Sequence, residues 1–204
     1  MRKNNNHYVA LLLAAGRSER MGTVKALLPW GEESLITYQI NQLKNIGIGK
    51  IIVVTGYKSE RITEAIKRYG VHIVWNDRFD EGKCSSIRKG VKAIRGNPKG
   101  ILISTVDQPV SHVTLSLIVD QFNKTNPSII VPLYQQKRGH PVLFHGSLRQ
   151  ELLNVNEETK GLRNILQKFS HQISYLDVND PDILFNFNTP ADYLPQTTKA
   201  KGES

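Results

Sequence analysis

Cysteine is almost missing from this chain: Cys84 is the only one among 204 residues. That excludes a disulfide scaffold and a multi-cysteine zinc or iron–sulfur site, and it agrees with a reducing, cytoplasmic setting. Long apolar runs are missing too. The longest, from Val9 to Ala15, falls far short of the roughly 20 residues that a membrane helix needs. It stands behind Arg2 and Lys3 as the core of a signal peptide would, but the charged, Gly-containing loop from Gly16 to Gly22 follows at once. The expectation is a cytoplasmic protein with no membrane partner. No internal repeat and no Pro- or Ser-rich linker divides the chain, so one domain is expected over residues 1–195, with 196–204 as a polar, aperiodic and disordered tail. Two common phosphate-binding loops are also missing. The spacing from Gly16 to Gly22 is wrong for a Walker loop and no lysine follows Gly22, while the glycine triplet of the dinucleotide fingerprint is absent.

What is present is an ordinary globular composition, 39% hydrophobic and 22% charged. Lys and Arg number 27 against 18 Asp and Glu, a net charge of +9, which points to a polyanionic partner. The cations Arg17, Arg20 and Lys25 are confined to one loop, and no aromatic platform interleaves with them. No nucleic-acid partner is expected on that pattern, and a phosphorylated small molecule remains.

Short apolar runs alternate with helical periodicity. Residues 7–13, 50–55, 71–75, 101–106 and 128–132 read as strands, with 141–145 a shorter one. Continuous Val/Ile/Leu runs of this kind suit a parallel sheet covered on both faces. Between them, Ile36, Ile40 and Leu43 share a helical face. So do Ile62, Ile66 and Tyr69 behind Ser59 as N-cap, then Ile87, Val91 and Ile94, then Leu115, Ile118, Val119 and Phe122 behind Ser111. The alternation predicts an α/β fold: a single doubly wound, mostly parallel sheet with helices on both faces. Beyond Gly146 the pattern gives helices over 147–155 and 162–169, strands over 173–178 and 183–187, and a short helix over 189–194 with Pro190 at its first position.

In open α/β sheets ligands bind beyond the carboxyl ends of the strands, so the loops after the strands carry the chemistry. The first strand runs into Leu13-Ala14-Ala15-Gly16-Arg17. Small residues let the backbone approach a ligand, and successive amides can cradle phosphate oxygens. Arg20 then supplies a bidentate fork and Lys25 a compact point charge. After the third strand come Gly82, which permits close approach, and Ser85 and Ser86, which either cap the next helix or offer hydroxyls and amides to a base or phosphate. Cys84 reads as a packing residue, since no histidine stands near it in sequence. The fourth strand ends at Asp107. A carboxylate at the mouth of an apolar strand is costly to desolvate without a counter-charge, and Mg²⁺ bridging a triphosphate supplies one. Later, Arg138-Gly139-His140-Pro141 joins a cation, a flexible joint and an imidazole that meets either a ligand phosphate or the backbone. Asn186 and Asn188 stand at the next strand end, Asn188 as a helix cap.

In order, Leu13-Ala14-Ala15-Gly16, Arg20-Met21-Gly22 with Lys25 and Leu27-Leu28-Pro29, Glu81-Gly82 with Ser85-Ser86, Asp107-Gln108-Pro109, Arg138-Gly139-His140-Pro141 and Asn188-Thr189-Pro190 resemble the motifs of a nucleotidyltransferase family. That family includes the molybdenum cofactor cytidylyltransferases, and the resemblance spans about residues 9–194. It implies a Rossmann-like nucleotidyltransferase fold and Mg²⁺-dependent transfer of a cytidylyl group from CTP to the phosphate of the molybdenum-pterin cofactor, with release of pyrophosphate. Ala15 is similar to the cytidylyl members, where guanylyl members tend to carry a further glycine. Carried over residue by residue, the resemblance makes Arg20, Lys25 and Asp107 catalytic. It sets Leu13, Ala14, Ala15, Gly16, Arg17, Gly82, Ser85 and Ser86 around the nucleotide, Arg138 and His140 on the acceptor side, and Asp107 with Asn188 at the metal. Cytidylyl members often carry aspartates where this chain has Asn186 and Asn188; an amide oxygen can coordinate a metal but brings no charge. Such proteins serve molybdenum hydroxylases, including xanthine dehydrogenases of purine breakdown, so transient contact with a hydroxylase apoenzyme is implied as well. Transfer to another phosphorylated acceptor, guanylyl transfer, and a catalytically weak nucleotide-binding accessory role stay open as alternatives.

Overall fold

The structure, a computed structural model, describes residues 5–193. The expected tail lies outside them, as does the last residue of the expected 189–194 helix. Strand β1 (Tyr8–Ala14) leads into two 3₁₀ turns (Glu19–Met21 and Lys25–Leu27), then a small ribbon of β2 (Pro29–Trp30) and β3 (Glu33–Ser34), then helix α1 (Leu35–Asn45). There follow β4 (Lys50–Thr55), α2 (Ser59–Ile66), β5 (His72–Trp75), α3 (Lys83–Lys92), β6 (Gly100–Thr105), α4 (His112–Thr125) and β7 (Ile129–Tyr134). The last part holds β8 (Lys137–Arg138), β9 (Val142–His145), α5 (Arg149–Leu153), α6 (Leu162–Lys168) and β10 (Ile173–Asp177).

The main sheet runs β10-β7-β9-β6-β1-β4-β5, with β8 attached to β7. β1 is buried along its whole length and pairs in parallel with β4 on one side and β6 on the other, as its unbroken apolar run requires. Alternate residues feed opposite cores. Ala10 and Leu12 pack with Ile36 and Ile40 of α1, Ile62 of α2 and Phe122 of α4. Val9, Leu11 and Leu13 pack with Ile87 and Val91 of α3, Leu152 of α5 and Ile165 of α6. The helices therefore cover both faces, and the α/β reading of a mostly parallel sheet holds.

The differences have local causes. β9 runs antiparallel between β6 and β7. The connection from β7 turns through Gln135 and Gln136 at positive φ, too short for the dozen or more residues that a parallel crossover takes. Residues 183–187 do not form a strand: Pro181–Leu184 is a 3₁₀ turn whose preceding Asp180 accepts from the Asp182 amide at 2.9 Å. Ser59 does not cap α2. Lys58 holds that place in the left-handed region, and the Ser59 hydroxyl pairs with the Thr55 hydroxyl at 2.7 Å instead. Ser111 does cap α4, accepting from the Thr114 amide.

Candidate active site

From β1 the chain goes to β4 and β5 on one side, then returns to β6 on the other. The carboxyl ends of β1 and β6 thus flank a topological switch point, where open α/β sheets form their ligand crevice. A cavity of about 240 Å³ lies there. Leu13, Ala14, Ala15, Gly16 and Lys25 wall one side, Gly82 and Ser86 another, and Asp107 closes it from β6. Among the described residues, chain neighbours aside, nothing lies within 4 Å of where a Gly16 Cβ would stand, so packing does not demand a glycine there, and its bare backbone leaves room for close approach.

The loop after β1 is held in shape by its own backbone. Ser18 lies in the left-handed region (φ 57°), and its hydroxyl accepts from the Lys25 amide at 3.4 Å. That hold brings Lys25 inward. Its ammonium sits 3.3 Å from Asp107 Oδ2, with side chains only 11% and 22% exposed. Buried Gln39 of α1 fixes the other partner: its amide donates to the Thr105 and Val106 carbonyls at 3.3 and 2.7 Å, directly before Asp107. The Phe187 amide donates to the Asp107 carbonyl at 3.2 Å, which runs the segment carrying Asn186 and Asn188 alongside. Arg20 is exposed and reaches that segment, donating to Asn188 Oδ1 at 3.3 Å. The Asn188 and Thr189 amides are taken by the Asp192 carboxylate at 3.0 and 2.8 Å, which holds that carboxyl below its usual range. Asp192, rather than Asn188, serves the start of the helix at Pro190.

Other expected residues stand elsewhere. Arg17 lies outside the cavity: it makes a bidentate pair with Asp80 at 2.6 Å and stacks over Tyr57 and Phe79. Ser85 does not line the cavity either; it donates to the Gly82 carbonyl and accepts from buried Asn76, which also reaches Ser86. Gly82 has positive φ, and the atom that a Cβ would strike is the Glu157 carboxylate, which accepts from the Cys84 amide at 2.7 Å. Burial, then Glu157, pushes the Cys84 thiol up to about 11, the opposite of an activated nucleophile.

A second cavity, of about 790 Å³, adjoins the first and takes in Arg138, His140 and Asn186. Arg138 is exposed and lies over the Tyr175 ring at 5.1 Å. Gly139 is no flexible joint: it is buried, with Ile183 standing where a Cβ would project, and the His140 amide donates to the Ile183 carbonyl at 2.9 Å. His140 is half-buried. Desolvation, then the Lys83 charge, push its imidazole down to about 4 against an opposing pull from Asp107, so it is neutral at pH 7. Sequence reasoning passed over Lys83 and Phe79 in the first cavity, and Lys160, Arg163 and Gln167 in the second. Lys83 follows Gly82 directly and was within reach of the motif. The later three carry no local signal.

Among the described residues no group of three His, Cys, Asp or Glu forms a metal cage. One cavity-facing carboxylate beside a lysine instead fits a hard divalent ion shared with substrate phosphates, the usual way in which Mg²⁺ is held. No helix among the described residues is long and apolar enough to cross a membrane.

The MobA-like NTP transferase domain matches residues 10–173. The molybdenum cofactor cytidylyltransferase of Escherichia coli K12 is 23% identical over 185 residues, covering 90% of this chain and 92% of that protein. A nucleotidyl transferase from Methanothermobacter thermautotroptrophicus superposes with TM-score 0.83 at 25% identity over 97% of this chain and 99% of that one. A Mycobacterium tuberculosis protein solved in complex with manganese superposes with TM-score 0.77 at 23% identity, covering 94% and 98%. With the small-residue loop, the Lys25–Asp107 pair and the switch-point cavity in place, the chain belongs to the MobA-like NTP transferase family and is an enzyme of the nucleotidyltransferase class.

Proposed function

We propose that the chain transfers a cytidylyl group from CTP to the phosphate of the molybdenum-pterin cofactor, with Mg²⁺ as the metal, and hands its product to a molybdenum hydroxylase apoenzyme. The observation that carries this reading is the Lys25 ammonium 3.3 Å from Asp107, in a cavity that Ala14, Ala15 and Gly16 also line and whose neighbour is a larger, cation-lined cavity. Three linked phosphates lie along the first loop, with Lys25 on the β- and γ-phosphates and Arg20 at the rim on the leaving group. Ala15, where guanylyl members tend to carry a further glycine, supports CTP over GTP. Arg138 and His140 face the acceptor; the imidazole, being neutral, can accept a hydrogen bond from the pterin or donate one to its phosphate.

An oxygen of the acceptor phosphate attacks the α-phosphorus in line. That bond forms as the bond from the α-phosphorus to the bridging oxygen breaks, and the electron pair leaves with pyrophosphate. No covalent enzyme intermediate is needed, so positioning and charge stabilisation do the work. Asp107 would hold Mg²⁺, with the Asn188 amide oxygen as a second ligand once released from Arg20, and the ion would supply Lewis-acid polarisation of the α-phosphate.

Calorimetry with CTP, GTP, ATP and UTP, each with and without Mg²⁺, tests the donor half. Radiolabelled transfer to the pterin tests the acceptor half. Tightest binding of CTP, strengthened by Mg²⁺ and followed by labelled product, is expected. A preference for GTP would reject the cytidylyl assignment, and label passing only to other phosphorylated acceptors would reject the pterin.

A further inference from the structure

Lys83 opens α3 and is the one residue, among those described, that lines both cavities. On one side it borders Gly82, Ser86 and Asp107; on the other it borders His140 and Arg138. It is exposed, and no hydrogen bond or ion pair engages it among the described residues. Its neighbours are already engaged: Lys25 with Asp107, Lys89 with Asp77, and Arg88 with the Val155 carbonyl. At the start of α3 the Glu157 carboxylate takes the Cys84 amide. The cation that α3 presents to an incoming phosphate is the Lys83 side chain. Lys83 thus shares one cavity with Asp107 and the other with His140, at the boundary between the two.

We infer that Lys83 is a catalytic residue that bridges the two substrates, its ammonium touching the α-phosphate of the nucleotide and the attacking phosphate of the acceptor. The inference rests on reading the two cavities as donor and acceptor sites. Two phosphate anions must meet there, and their repulsion grows as the gap closes. Lys83 keeps its proton throughout: the acceptor oxygen bonds to the α-phosphorus, the bond to pyrophosphate breaks, and the ammonium offsets the charge gathered between them. A cation placed this way acts most strongly when the two phosphates are closest, so its removal falls on kcat rather than on nucleotide affinity.

The test compares the wild-type protein with Lys83→Met and Lys83→Arg. It measures transfer kinetics, MgCTP affinity by calorimetry, and acylation of Lys83 by peptide mass spectrometry. Lys83→Met should lower kcat by about 10²–10³-fold, the range for removing one transition-state donor, with less than about a fivefold change in MgCTP affinity, and Lys83→Arg should recover part of the loss. In the wild type, MgCTP with inorganic phosphate should slow acylation of Lys83 at least about fivefold. A kcat within about threefold of wild type for Lys83→Met overturns the inference, as does a loss confined to MgCTP affinity. So does unprotected Lys83 in a protein that calorimetry shows to bind nucleotide. If calorimetry detects no binding of any of the four nucleotides, the donor-site reading falls and the role of Lys83 falls with it.

Discussion

The cavity proposed to hold the donor and the cavity proposed to hold the acceptor are built by different means. The donor cavity takes its walls from backbone held at the ends of β1 and β6, two central parallel strands. The acceptor cavity takes its walls from the short β8 and β9, from α3, and from the segment joining α5 to α6. The first is narrow, about 240 Å³, and sets its one carboxylate against a lysine. The second is wide, about 790 Å³, with Lys83, Arg138, Lys160 and Arg163 around apolar Val131, Val142 and Leu166, while its carboxylate, Glu157, is already held by a backbone amide. The contrast teaches that the central parallel strands fix the narrow cavity, proposed for the triphosphate, while short elements that can vary wall much of the wide one. Such a division suits a scaffold whose donor chemistry is shared and whose acceptor differs.

The sharpest way to break the comparison is to remove the first cavity's one carboxylate. Asp107→Ala should cost transfer about 10³-fold or more, the several kcal/mol expected of a lost metal site. The melting temperature should stay within a few degrees, since the side chain sits on a cavity wall. Turnover near wild type would dissolve the donor site as described.

Next comes a pH effect confined to the acceptor side. Folding holds the His140 imidazole near 4 instead of 6.5. Between those values the unfolded chain binds a proton that the folded protein does not, so stability rises with pH through that window and is complete above 6.5. The contribution lost on acidification is at most about 3 kcal/mol. Chemical denaturation at pH 4.5 and pH 7 should show this slope in the wild type and a flatter one in His140→Gln; equal slopes would contradict the burial argument.

The smallest effects come from a crossed pair of variants. Lys25→Ala should weaken CTP binding by about 1.5–3 kcal/mol, the worth of a charge-assisted contact, and leave CMP nearly unchanged. Arg163→Ala should raise the KM for the acceptor about tenfold, or about 1.4 kcal/mol, and leave CTP affinity alone. If either variant perturbs both substrates equally, the two cavities are not separate donor and acceptor sites.

Much of the first cavity was legible because it is local. Leu13 to Gly16, Lys25, Gly82, Ser86 and Asp107 lie at strand ends or in the segments after them, and the structure gathers them in one cavity. Arg17 stands outside that cavity because Asp80 engages it from 63 positions away, a partner at which its sequence neighbours do not hint. Gly139 was read as a flexible joint, but Ile183 from a distant segment stands where its Cβ would project; Gly82 lines the cavity, and the Cβ that it lacks would strike Glu157. Gln39 and Phe187, which brace Asp107, carry no motif at all.

The sequence by itself determined the alternation of strands and helices, the two-faced burial of β1, and the loop chemistry that a nucleoside triphosphate requires. These depend on residues adjacent in the chain, where side-chain period and backbone propensity act over a few positions. Only the tertiary structure decided that β9 enters the sheet in reverse, that Lys25 meets Asp107 across 82 positions, and that Lys83 stands between two cavities. Those outcomes depend on which distant segments pack together, and charges and hydrogen-bonding groups find their partners only after the core has brought them within a few ångströms.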